Sequence, residues 1–111
     1  AALFSEPQAT TARLYNNPML MDSRDKNIRL GVIAFRENAL KDKRRQKQLD
    51  NFVKAYNIAV DSINHFGLQH YATVITKYTN ADAKTIKALP KLRFNHVRQP
   101  RVRDINIAKR Y

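Results

Sequence analysis

Apolar side chains recur every three or four residues through the middle of the chain, at Ile28, Val32, Phe35 and Ala39, and again at Leu49, Val53, Tyr56, Val60 and Ile63. Residues three and four apart share one face of an α-helix, so this rhythm predicts a helix with a single apolar stripe. One phase fits both halves across the interruption at Asp42 and Gln46, which reads as one continuous helix. Asp22, Ser23 and Asp25 offer oxygens to the unpaired amides of a first turn and place its start near Ser23. Phe66-Gly67-Leu68 ends it, because glycine can take the left-handed C-terminal position while apolar neighbours clamp the turn. About 42 residues at about 1.5 Å each give a rod of roughly 60 Å, more than a small globule can bury. Part of the rod must lean on another surface.

Two short helices are expected after Gly67. Residues 69–78 put Tyr71, Val74, Ile75 and Tyr78 on one face, although their β-branched members keep a strand open as the alternative. Asn80 is placed to cap a second helix over 81–89, which Pro90 stops. The expected fold class is all-α. Its layout is an extended N-terminal arm over 1–21, a long basic helix over 22–66, a small helical cluster over 67–90 that packs on the end of that helix, and a basic extended tail over 91–111. Only two Gly and four Pro occur, which favours long helices over turn-rich β-architecture or a Gly-rich phosphate loop. The arm carries Arg13 as its one base, so Leu3, Phe4, Leu14, Tyr15, Met19 and Leu20 suit packing on protein or in an apolar groove.

Charge narrows the choice of partner. The 111 residues hold 21 Lys and Arg against 9 Asp and Glu, a formal charge of +12. Such an excess calls for a polyanion whose counterions are released on binding, with nucleic acid as the first expectation and an anionic membrane surface as its rival. No apolar run approaches the roughly 18 residues needed to span a bilayer, so no membrane insertion is expected. Cysteine is absent, which removes disulfides, thiolate zinc sites and cysteine nucleophiles. The chain opens Ala1-Ala2-Leu3 without Met, as a processed or truncated form would.

The densest cations lie where the apolar rhythm stops, at Lys41, Lys43, Arg44, Arg45 and Lys47. Successive helical residues stand about 100° apart, so five cations in this stretch surround the helix instead of lining one side. That arrangement suits insertion between phosphate-bearing strands, with forked contacts from Arg44 and Arg45; the plain alternative is a solvated waist. Arg24, Lys26, Arg29 and Arg36 extend the basic surface N-terminally, and Arg93, Arg98, Arg101, Arg103, Lys109 and Arg110 extend it into the tail, where Lys91 adds a further base. Phe94, His96 and Tyr111 interleave with the tail bases and can stack on splayed bases of RNA, or Phe94 can fold back onto the core. His65, His70 and His96 form no metal signature, and His65 and His70 are expected to pack or cap around Gly67. No Ser, His and Asp grouping or phosphate loop stands out, so no catalytic residue, no cofactor, no metal and no small-molecule substrate is expected.

Over residues 29–89 the order of features resembles the bacterial-type large-subunit ribosomal protein twenty family, including its organellar members. The pieces are Asp42-Lys43-Arg44-Arg45-Gln46-Lys47, Phe52-Val53, Asn57-Ile58-Ala59, Gly67-Leu68, Tyr71, Val74-Ile75, and Asp82-Ala83-Lys84 leading to Leu89. The resemblance implies a structural protein whose long helix binds rRNA and whose small domain packs on rRNA and neighbouring ribosomal proteins. The family's basic N-terminal extension is not visible, and with the start at Ala1 this points to an organelle, the mitochondrion. Two other classes share the charge. One is a virion or nucleoid protein that packs DNA, with Lys84, Thr85 and Lys87 toward a groove. The other is an accessory subunit of a large membrane complex, braced by arms and helix.

Overall fold

The computed structural model describes residues 2–26 and 31–110. Among them the regular structure is helical throughout, as expected. The α-helices are α1 (Gln8–Leu14), α2 (Glu37–Lys41), α3 (Lys43–Phe66), α4 (Ala72–Thr79), α5 (Ala83–Ala88) and α6 (Val102–Ala108), with single 3-10 turns at Ser23–Lys26 and Leu68–Tyr71. The chain forms two compact units, one of Ala1–Leu20 with Ile58–Asn95, the other of Met21–Asn57 with His96–Tyr111.

The first unit holds the core. Ala81, Ile86 and Leu89 are buried, and Leu68, Ala72 and Ile75 pack against them. The C-terminal part of α3 adds Val60, also buried. Chain reversal at the end of α3 falls to Gly67 at φ +83°, a region that strains any side chain. Its ψ of 158° departs from the left-handed helical geometry expected there, but its N–H still donates to Ile63 O at 2.8 Å. The small helical cluster after Gly67 is present as expected, with α4 packed on α5 and helix in place of the strand alternative. Asn80, expected to start α5, instead ends α4 in the left-handed conformation, where its short polar side chain is tolerated. Asp82 is the cap of α5, its carboxylate accepting from Thr85 N at 2.6 Å.

The N-terminal arm is not wholly extended, contrary to expectation. Gln8–Leu14 coils into α1 and packs on α5. Thr10 and Thr85 are buried, and Thr11 Oγ1 lies 3.2 Å from Thr85 Oγ1. Arg13 donates to Ala88 O at 3.2 Å, supplying a partner for a carbonyl at the C-terminal end of α5. Two turns are too short to hold alone, whatever their composition. The contact with α5 is what stabilises them.

In the second unit the long helix is shorter than its sequence pattern. Ser23–Lys26 forms one 3-10 turn, residues 31–36 are irregular, α2 is a brief helix, and α3 begins only at Lys43. Asp42 divides the two: its Oδ1 accepts from Arg44 N at 2.8 Å and Arg45 N at 3.2 Å, and its own backbone is extended. An N-cap residue takes extended ψ, so a helix cannot run through it. Gln46 reaches back to donate to Leu40 O, giving the end of α2 a partner. The two interruptions of the apolar rhythm are thus the joint itself. Leu49, Val53 and Tyr56 are half-buried, whereas Val32 and Phe35 are exposed. The proposed start at Ser23 instead makes a local turn, in which Asp22 accepts from Arg24 N at 2.8 Å. Ile28, Arg29 and Tyr111 lie outside the described residues.

The tail is likewise mixed. In the first unit Asn64 holds the backbone of Phe94, and in the second Asn57 Oδ1 accepts from Val97 N at 2.9 Å. Beyond Pro100, α6 forms instead of an extended end, with Arg101 at its N-cap position and Asp104 in its first turn.

Candidate nucleic-acid interface

Charge is divided unevenly between the units. The second, over residues 21–57 and 96–111, carries 15 Lys and Arg against 6 Asp and Glu, a net +9; the first carries 6 against 3, a net +3. Among the described residues every fully buried side chain belongs to the first unit. One unit therefore holds the apolar core and the other the basic surface.

All the expected nucleic-acid contacts except Arg93 fall in the basic unit. Arg29 lies outside the described residues, as does the side chain of Lys26. The tail residues Arg98, Arg101, Arg103, Lys109 and Arg110 share that unit with the bases of α2 and α3, and Arg93 belongs to the other.

The first turn and a half of α3 holds Lys43, Arg44, Arg45 and Lys47, all exposed, with no acidic residue in the first turn. At about 100° per residue, Lys43 and Lys47 share one side, Arg44 stands about 100° round and Arg45 about 200°. These four cations cover a little more than half of the circumference of the helix end, and Lys41, expected as the fifth, lies on α2 beyond the break at Asp42. That end also carries the positive pole of the helix dipole, so like charge is added to like charge. Such an arrangement disfavours the unbound chain and favours an anion.

Some expected contacts are already engaged. Arg24 forms an ion pair with Asp22, donating through Nε at 2.8 Å, and these bonds hold the Asp22 carboxyl below its usual range. Lys41 pairs with Glu37 at 2.6 Å one turn away on α2. Arg101 donates to both oxygens of Asp104, at 2.6 and 2.8 Å, which raises its own already high pKa. Arg45 is only 4.0 Å from Asp42 and keeps most of its exposure. Among the described residues, Arg36, Lys43, Arg44, Lys47, Arg93, Arg98, Arg103, Lys109 and Arg110 make no side-chain ion pair. These are the cations with charge to offer.

Two features were not singled out from the sequence. Lys54, exposed on α3, lies seven residues from Lys47 and so on the same face, with Asp50 between them; the spacing was there to be read. An aromatic row also runs beside the cations: Phe35 meets Phe52 edge-on at 6.4 Å, and Phe52 meets Tyr56 at 6.3 Å. Phe94, by contrast, is half-buried, and its backbone is tied to Asn64. His65, Phe66, His70 and Tyr71 pack ring on ring around Gly67, Phe66 stacking on His70 at 5.0 Å. Among the described residues no group of side chains could hold a metal ion, and no helix is long and apolar enough to cross a membrane. No protein-family model, no curated protein and no solved structure matches this chain.

Proposed function

We propose that this chain is a structural RNA-binding protein of the large subunit of an organellar, mitochondrial ribosome, acting without catalysis by neutralising and fixing rRNA phosphates. The supporting observation is the basic unit: net +9, with no fully buried side chain among its described residues. A unit without an apolar core gains little from its own packing, and a polyanion supplies what the core does not. The girdle on α3 suits phosphates on several sides at once, a geometry that neutralises backbone charge and reads little base sequence. The resemblance over 29–89 is what selects the ribosome among RNA partners. The exposed Leu3, Tyr15, Leu20 and Met21 suit neighbouring ribosomal proteins.

The test is the affinity of the full chain for rRNA fragments over a salt series. Replacing Arg44, Arg45 and Lys47 together with Ala keeps helix propensity and should reduce the slope of log K against log salt by about 2–3. An unchanged slope would remove the girdle as the contact. Co-sedimentation with large ribosomal subunits that is lost on RNase digestion tests the ribosomal assignment. Tighter association with duplex DNA would favour a packing role, and association that survives nuclease would favour an accessory subunit of a protein complex.

A further inference from the structure

Beside the girdle, the basic unit has a recess of about 490 Å³ lined by Phe35, Ala39, Arg45, Gln48, Leu49 and Phe52. The recess is shallow and open to solvent, so a flat guest would lie against it with one side still exposed. We infer that this recess takes an unpaired base of the bound RNA, one of Phe35 and Phe52 stacking on it and the other meeting it edge-on while Arg45 meets its phosphate. The proposal rests on the RNA-binding reading above and adds to it a site for one nucleotide.

The chemistry of the lining is that of a nucleotide. Phe35 and Phe52 stand 6.4 Å apart at 76°, so one ring offers a face and the other an edge to a flat guest. Aromatic guests prefer such stacked and edge-on contacts, and base stacking on Phe tolerates any base. Both rings are 45% exposed, so contact area is still available. Gln48 brings an amide with donors and acceptors for a base edge, and Arg45 brings a forked cation for a phosphate. Arg45 belongs both to this recess and to the girdle, which joins the guest to the backbone that the girdle holds.

Other occupants fit less well. A partner helix needs anchors along three or more positions of an elongated groove, but here the apolar lining is Phe35, Ala39, Leu49 and Phe52 around one recess. A second copy of this chain brings another +12 to a surface that is already cationic. A nucleotide is apolar on its faces, polar at its edge and negative at its link, and it complements all three parts of the wall.

The experiment uses the full chain with an RNA hairpin carrying 2-aminopurine in its loop, and with a fully paired duplex of equal length. Binding should quench the loop fluorescence as the base stacks. The double variant Phe35→Leu/Phe52→Leu should abolish the quench and weaken hairpin binding about ten-fold, with the salt slope and duplex affinity unchanged. Gln48→Ala, which leaves the apolar lining intact, should weaken the hairpin and not the duplex. The proposal is overturned if the double variant quenches like the parent, or if hairpin and duplex lose affinity equally. It is also overturned if the same variant abolishes binding of an acidic peptide, or self-association, while sparing the hairpin. Failure of both RNAs to bind with any salt dependence sinks the RNA-binding reading itself, an outcome distinct from loss of the recess alone.

Discussion

The side-chain amide of Asn64 pairs with the backbone of Phe94 much as a neighbouring strand would: Nδ2 donates to Phe94 O at 2.9 Å, and Phe94 N donates to Oδ1 at 3.0 Å. An irregular segment has no helical ladder to satisfy its peptide groups. Asparagine offers a donor and an acceptor on one flat group, so one side chain on α3 meets both needs. Asn57 repeats half of this at Val97 in the other unit.

Asn64→Ala should therefore free the Phe94 segment at a cost of about 1–2 kcal/mol, two ordinary hydrogen bonds. Hydrogen exchange at the Phe94 amide reports it directly. Unaltered protection of that amide would mean that the segment is held by other contacts.

Thr10 is 1% exposed and, among the described residues, its Oγ1 has no hydrogen-bond partner. A buried hydroxyl without a partner costs free energy that an isosteric methyl does not. Thr10→Val is expected to stabilise the first unit by about 1 kcal/mol, read from a urea melt. A loss of stability would place a hydrogen bond on that hydroxyl.

The bonds from Thr85, first the backbone N–H, hold the Asp82 carboxyl below its ordinary 3.8. Its folded value is depressed, so the cap contributes fully above the unfolded value and is lost as pH falls through the lower, folded one. Helicity of the first unit should decline in acid below about pH 4. Asp82→Asn retains a capping oxygen that does not titrate, and should remove this part of the acid dependence. An identical acid limb in the variant would assign it to other carboxylates.

Charge segregation predicts which lysines matter for binding. Lys84 and Lys87 are exposed on α5 in the first unit. Replacing both with Ala should change the salt slope for RNA by less than about 0.5, well below the effect of the triple variant on α3. An equal loss would mean that net charge, and not its placement, governs association.

Local pattern was enough for part of this protein. The scarcity of glycine and the three-four rhythm from Leu49 to Ile63 are met by helix, whereas the same rhythm at Val32 and Phe35 falls in an irregular segment. Gly67 ends α3 at a φ that strains any side chain, and Pro90 follows α5. The cations around residue 44 spread over about 200° of their helix by its pitch alone. The joint at Asp42 was visible only as a gap in the rhythm, because both halves share one phase and nothing local shows that the gap is a cap. Long-range contact decided the rest. α1 is held because it packs on α5, and Phe94 is held because Asn64 on α3 faces it. The tail bases, remote in sequence from α3, join its unit through tertiary contacts. Propensity acts over a few residues, whereas burial and charge add up over whatever the folded chain brings together, so periodicity could set the helices but not the separation of core from basic surface.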